Sequence, residues 1–336
     1  MDFSKLDFGS LIGQKEVISS LKRALADNRV SHAYIFSGPE GIGKKTVARI
    51  FAGLLLCDDP HDGAVCGKCR ACRLMENGSN PDLHIINTDD SSIGVDVIRG
   101  IQSDAVLRPV YSGRKVYIVE DAAKMTDQAQ NCLLKTFEEP PGHVVVILLT
   151  TNYEKMLETV RSRAQHLQFR KYTREQVCQA LSARLGDDRR GLTDLAADYS
   201  DGNIGMALKL AGSDEFAALR DQVLEMLPAA ALGNTRAVLD FTTFLDNNKD
   251  SIDMVLDIML LYYRDLLVIK ETGNEKKLIN SDKKDIILNN VRNFRTGRII
   301  ACIDAIGAVR RALRQNAGYQ LAVDNLLMNI QEDNGW

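Results

Sequence analysis

HAYIFSGPEGIGKKTVARIFAGLLL, residues 32–56, decides the fold. His32 to Ser37 reads as a short strand. Thr46 to Leu56 carries Val47, Ile50, Phe51, Leu54 and Leu55 at helical spacing. Between them, Gly38-Pro39-Glu40-Gly41-Ile42-Gly43-Lys44 follows a strand and opens a helix, the context a phosphate-binding loop requires. Glycines let backbone N–H groups turn inward, and the helix N-terminus adds positive potential. Gly38, Gly41, Gly43 and Lys44 are therefore the candidate nucleotide-binding residues, with Lys44 reaching the terminal phosphates. The pattern normally continues with Ser or Thr, whose hydroxyl ligates Mg²⁺. Here that position is Lys45, and a cation there opposes the metal. Thr46 lies about 100° further around the helix and does not substitute. The loop is either a weak or vestigial nucleotide site or a turn kept because it packs the sheet.

Outward from this stretch, helical and strand patterns alternate. Lys15 to Asp27 and Ile98 to Leu107 read as helices, Leu83 to Ile86 and Lys115 to Val119 as strands. Thr126 to Glu138 is a helix with Thr126 as its cap, stopped by Pro140-Pro141-Gly142. Val144 to Leu149 is a buried strand and Gln165 to Phe169 the last one. Such alternation predicts a mainly parallel sheet covered on both faces. The third strand runs into Glu120-Asp121. ATPases of this architecture usually end it with Asp then Glu, the first for Mg²⁺ and the second to orient water. The order is reversed here, and catalytic geometry is sensitive at about the 1 Å level. The bland reading is a solvated strand end.

After about Arg170 the strand signal disappears and the pattern is helical, broken at Gly186-Asp187-Asp188 and Asn247-Asn248-Lys249-Asp250. The layout is an α/β domain over 1–170, a small helical domain over 171–212 and a larger helical domain over 213–336. At roughly 150 residues per domain, a chain of 336 residues suits this division. Apolar residues make up 45% and charged residues 26%, which excludes disordered, collagen-like and coiled-coil chains. Lys and Arg number 42 against 45 Asp and Glu, a net charge of -3, so any nucleic-acid contact is a local patch. The run Val144 to Leu149 is too short to span a bilayer. MDFSKLDFGS has neither the basic start nor the apolar core of a secretory signal, which predicts a cytoplasmic chain with reduced thiols.

Four of the seven cysteines, Cys57, Cys66, Cys69 and Cys72, form C-x8-C-x2-C-x2-C. Clustered cysteines in a reducing compartment read as metal ligands. Four thiolates give a closed tetrahedral Zn²⁺ site, structural because no position is left for water. The loop between them has no apolar core of its own, so metal replaces burial. His61 is a competing ligand by position.

The chain resembles the clamp-loader subunits of bacterial DNA polymerase III, within the AAA+ superfamily. The resemblance rests on Phe8-x-x-Leu11-Ile12-Gly13-Gln14, the loop Gly38 to Lys44, the inserted four-cysteine loop, NCLLKTFEEPP from Asn131 to Pro141, and Ser162-Arg163. It covers the first 170 residues with specific motifs and the rest in layout. It implies an AAA+ P-loop domain with a zinc module at 57–72, a helical lid over 171–212 and a helical collar for oligomerisation over 213–336. Two subunit types fit. The tau/gamma type is the ATPase motor, and the delta-prime type lacks hydrolysis but supplies an arginine to its neighbour's site. By the motif, that arginine is Arg163, although Ala164 stands where the family has Cys. Asn152 matches a polar sensor position, or else only caps the next helix.

The chain departs from the motor pattern at Lys45, at Glu120-Asp121, and at Gly205, where motors carry an arginine that touches the γ-phosphate. It also ends at Trp336, without the long extension of a full-length tau form. The resemblance is therefore to the delta-prime type, a part of the polymerase holoenzyme without ATPase activity of its own. The alternative is an active tau/gamma-type ATPase. A small-molecule P-loop kinase is disfavoured, for it needs its own Mg²⁺ hydroxyl. Implied partners are the tau/gamma and delta subunits, with the sliding clamp and primer-template DNA reached through the complex. Lys135 and Arg99 are DNA-contact candidates by family position. Met259, Leu260 and Leu261 are candidates for contact with neighbouring subunits.

Overall fold

The structure, a computed structural model, describes residues 7–87, 90–185 and 190–331. The break at Gly186-Asp187-Asp188 and the C-terminal Trp336 lie outside the described residues. By compactness the chain divides into two units, residues 1–184 with 202–206 and residues 185–201 with 207–336. The segment 171–212, expected as a domain of its own, thus contributes residues to both.

The first unit is built on β1 (Ala33–Ser37), β2 (Leu83–Ile86), β3 (Lys115–Val119), β4 (Val144–Thr150) and β5 (Gln165–Gln168). The strands are parallel and ordered β2-β3-β4-β1-β5. Ile35 lies opposite Leu148, and Val119 also lies opposite Leu148 on the other side. β1, β3 and β4 are buried along their whole length, because a parallel sheet is covered on both faces. Successive side chains alternate between two cores. Tyr34, Phe36, Val116, Ile118, Val145 and Ile147 pack with helices α1 (Lys15–Ala26) and α2 (Lys44–Leu56). Ile35, Tyr117, Val119, Val146 and Leu148 pack with α4 (Val95–Ala105) and α5 (Asp127–Glu138), and α3 (Arg70–Glu76) lies beyond α2 in sequence. Thr126 caps α5 by accepting from the Ala129 N–H at 3.2 Å. The sheet order sets the end of β4 between the loop after β1 and the acids after β3. The remaining helices of this part of the chain are α6 (Glu158–Arg161) and α7 (Arg174–Leu185).

α4 starts three residues before the expected Ile98 and ends at Ala105, short of Leu107. The chain leaves the helix because the fully buried Asp82 carboxylate captures the next loop. It accepts N–H groups from Val110 (2.7 Å), Tyr111 (2.9 Å) and Ser112 (2.8 Å). The Arg70 guanidinium lies 3.8 Å from the centre of the Tyr111 ring.

After α8 (Arg190–Tyr199) and α9 (Ile204–Ala211), the second unit holds α10 (Asp214–Ala231), α11 (Thr235–Asn247), α12 (Ile252–Thr272), α13 (Lys284–Asn290), α14 (Thr296–Arg314) and α15 (Tyr319–Ile330). A buried polar knot ties α8, α10 and α12 to the segment 279–282. Asp265 accepts from the N–H groups of Ile279 (3.1 Å) and Asn280 (2.8 Å), and Asn280 Oδ1 accepts from Tyr199 (2.7 Å) and Arg220 (3.0 Å). Arg220 also forks onto Asp282 at 3.0 and 2.6 Å. Met259, expected to face a partner, is fully buried in its own bundle, and Leu260 and Leu261 are half-buried. The exposed large apolar groups of this unit include Leu239, Ile300, Leu321 and Met328. Among the described residues no helix is long and apolar enough to cross a membrane.

Replacing Asp82 with Ala removes the acceptor of three part-buried N–H groups, each bond being worth about 1 kcal/mol. Urea unfolding of Asp82→Ala is expected to show a loss of roughly 3 kcal/mol. A loss under about 0.5 kcal/mol would mean that the loop is held by other contacts.

Candidate functional site

The four cysteines meet. Cys57 closes α2, Cys69 caps α3 and Cys72 lies in its first turn, so two helix ends and the loop between them converge. All four Sγ atoms lie within 4.8 Å of one another. A tetrahedral thiolate site with metal–sulfur bonds of about 2.3 Å sets its sulfurs about 3.8 Å apart. Cys57 and Cys72 are 3.6 Å apart, and Cys66 and Cys72 are 3.9 Å apart. The sulfurs also accept backbone N–H groups, Cys57 from Cys66 at 3.3 Å, Cys66 from Cys69 at 3.3 Å and Cys69 from Cys72 at 3.4 Å. Such bonds orient the ligands and stabilise thiolates. Burial raises the Cys57 and Cys72 thiols. At Cys66 burial also acts upward, but the N–H groups of Lys68 and Cys69 outweigh it and bring the thiol down to about 6. Four sulfurs this close become thiolates together only beside a cation. His61 instead meets Asp59 at 3.0 Å, outside the cluster. The set can hold a metal ion in a closed site.

The phosphate loop is satisfied by its own chain. The Lys44 ammonium donates to the carbonyls of Gly38 (2.5 Å) and Pro39 (2.6 Å). Burial pulls Lys44 down to about 8, against the opposing pull of Asp121 and Glu40. Asn203 Nδ2 donates to the Glu40 carbonyl (2.6 Å), the Gly205 N–H to that of Gly41 (3.0 Å), and the Tyr172 hydroxyl to that of Ile42 (3.2 Å). Five successive carbonyls therefore have partners. Gly41 sits at φ +71° with Asn203 against it, where a side chain has no room. A Cβ on Gly205 would lie 2.9 Å from the Gly41 Cα and carbonyl oxygen, so an arginine there would displace the loop.

Glu120 is not a solvated strand end. It is 2% exposed, with Lys45 Nζ at 2.8 Å and Arg49 Nη2 at 3.3 Å. Lys45 and Arg49 are one turn apart on α2 and share a face. Two side-chain cations thus neutralise the carboxylate where a motor would hold its metal. Asn152 accepts the Glu154 N–H at 3.1 Å and caps the short turn 153–155, the plainer of its two expected roles. Arg49, Asn203 and Tyr172 escaped the sequence reading. Only the i, i+4 spacing of Lys45 and Arg49 pointed to the first, and nothing local pointed to the others.

Arg161 and Arg163 lie close together in the chain just before β5 but are held differently. Arg161 is 25% exposed, pairs with Glu154 at 2.6 Å and lies over the Tyr153 ring, which stacks on His166. Arg163 is 39% exposed, and its guanidinium bonds Glu138 (3.0 Å) and the Thr159 carbonyl (3.2 Å). Arg99 pairs with Asp96 at 3.0 Å on the surface of α4, and Lys135 is exposed on α5.

Residues 13–173 match the family described as DNA polymerase III, delta subunit, and residues 214–332 match DNA polymerase III, delta subunit, C terminal. The DNA polymerase III subunit delta' of Bacillus subtilis is 31% identical over 332 residues, 95% of this chain and 96% of that protein. Subunit tau of the same organism is 29% identical over 301 residues, 83% of this chain but 53% of its own length. Among solved structures, a DNA polymerase III gamma subunit-related protein of Thermotoga maritima is similar over 93% of this chain and 98% of its own, at 18% identity and a TM-score of 0.46. The delta' relative is matched nearly end to end in both directions. The chain belongs to the family of DNA polymerase III delta' subunits.

Proposed function

We propose that the chain is the non-hydrolysing delta-prime arm of a clamp loader, an AAA+ subunit that helps load the sliding clamp onto primed DNA. One observation carries the reading: Lys45 and Arg49 neutralise the buried Glu120 where a motor needs Mg²⁺. Gly205 adds a second loss, since the backbone contact with Gly41 leaves no space for a γ-phosphate arginine. The partners are the tau/gamma and delta subunits, with clamp and primer-template DNA engaged through the complex in the cytoplasm. Residues 171–212 serve as lid and 213–336 as collar. The exposed Leu239, Ile300, Leu321 and Met328 support a neighbour-binding role for the collar.

Steady-state ATP turnover by the purified chain is expected to be negligible. Lys45→Thr alone should not restore it, because Gly205 and the Glu120-Asp121 order remain. Turnover by the unmodified chain at about 1 s⁻¹ or above, an ordinary enzymatic rate, would favour the tau/gamma-type alternative.

Cys57, Cys66, Cys69 and Cys72 hold one structural Zn²⁺. The sulfur spacing and the N–H bonds to sulfur support this. Elemental analysis of protein purified without chelator should give one equivalent of zinc, and Cys72→Ser should lose it with a drop in melting temperature. Absence of metal together with free, titratable thiols would remove the assignment.

Arg163 acts in trans on the ATP of a neighbouring subunit. A guanidinium is planar, always charged and donates in a fork, which suits a γ-phosphate. Arg163 is the more exposed of the pair, whereas Arg161 is built into the Tyr153 stack. A finger supplied by a partner is worth about 10³ to 10⁵ in rate at its own site. Arg163→Ala in a reconstituted complex should leave assembly intact and lower DNA-stimulated hydrolysis partially, since other sites keep their own fingers. Arg161→Ala is the control. An intact Arg163→Ala complex that loads clamps at the unmodified rate would leave the chain as a structural arm only.

A further inference from the structure

Arg163 is held by a particular carboxylate. Glu138 is the last residue of α5, and Glu139 comes directly after it. The carbonyl end of a helix carries partial negative charge, which disfavours an acid there. Lys135 in the last turn of α5 supplies one counter-charge, and the Arg163 guanidinium adds a second, Nη2 donating to Glu138 Oε1 at 3.0 Å. The second anchor is local: Nη1 donates to the Thr159 carbonyl at 3.2 Å. Arg161, by contrast, has both a carboxylate and an aromatic face, and stays where it is without Glu138.

Both partners of the Arg163 pair are open to water, Arg163 at 39% and Glu138 at 53%. Exposed pairs of this kind are weak and easily exchanged. A polyphosphate offers more charge and a better-matched set of acceptors than one carboxylate. We propose that Glu138 is a positioning residue: it holds Arg163 against its own chain at rest and releases it when a neighbouring subunit's triphosphate competes for the guanidinium. The proposal rests on the trans-acting reading of Arg163. No bond is made or broken in this step; one ion pair replaces another.

The test uses the reconstituted complex with four forms of this chain: Glu138→Gln, Glu138→Asp, Arg163→Ala and the double variant Glu138→Gln/Arg163→Ala. Removing the charge should raise the rate at the neighbouring site about two- to fivefold, the fraction that a surface pair of ordinary strength withholds, and total ATP turnover by less, because the other sites keep their own fingers. The gain should shrink as salt rises, because exposed charges are screened. Glu138→Asp, which keeps the charge, should return the rate toward the unmodified value. In the Arg163→Ala background Glu138→Gln should do nothing, since a restraint has no effect on a missing side chain. A merely structural Glu138 would instead act equally in both backgrounds. If Arg163→Ala lowers hydrolysis while Glu138→Gln leaves or lowers it, the restraint is overturned and the finger stands. If Arg163→Ala has no effect, the finger reading fails and the restraint fails with it.

Discussion

The buried carboxylate of Glu120 is the constraint around which the site is arranged. A carboxylate that is 2% exposed is costly to bury unless it is paired and hydrogen-bonded. In a working motor a divalent cation, drawn in with the nucleotide, shares that task. Here α2 supplies the charge permanently, through Lys45 at 2.8 Å and Arg49 at 3.3 Å. Charge that a ligand would have brought is part of the fold. A divalent metal would have to enter this strand end against two fixed cations.

The loop above it obeys the same logic. Carbonyls 38 to 42 find donors in Lys44, Asn203, Gly205 and Tyr172, so the turn needs no bound phosphate to keep its shape. The glycine at 205 matters twice. Its N–H completes the set of donors, and its missing side chain permits the close approach to Gly41. A side chain at 205 and this packing of the loop therefore exclude each other. The loop thus keeps its shape through contacts within its own chain.

The range of each interaction decides how legible it is in the sequence. β1, β3 and β4 are readable as apolar runs because burial on both faces leaves polar residues only at a strand end, Ser37, Lys115 and Thr150. The cysteine cluster is readable because its four members lie within sixteen positions of the chain. The Thr126 cap is readable for the same reason. The buried ion pairing of Glu120 is not legible because its partner Arg49 lies 71 residues away in the chain, and a local window cannot pair them. The expected end of α4 overshoots because Asp82, in another part of the chain, captures the loop beyond the helix. Asn203 and Tyr172 reach the phosphate loop across more than a hundred residues. Helical periodicity marks Met259 as one of several apolar residues but does not say which is buried inside the unit.

Helix α2 joins the two chemical features of this part of the chain. Its first turn carries Lys44 and Lys45, and the residue that closes it is Cys57. Thirteen residues at about 1.5 Å each separate the ends by about 20 Å, too far for either site to feel the other's charge directly in solvent at physiological salt. What they share is the helix as a rigid body. The ion pairs with Glu120 fix its first turns against the end of β3, and the Cys72 thiol bonded to Cys57 Sγ at 3.6 Å ties its end to α3. A helix held only by its apolar face can slide or rotate by small amounts, because hydrophobic contact is non-directional. Directional bonds at both ends remove that freedom, and they fix the helix that presents the loop by means that do not depend on nucleotide.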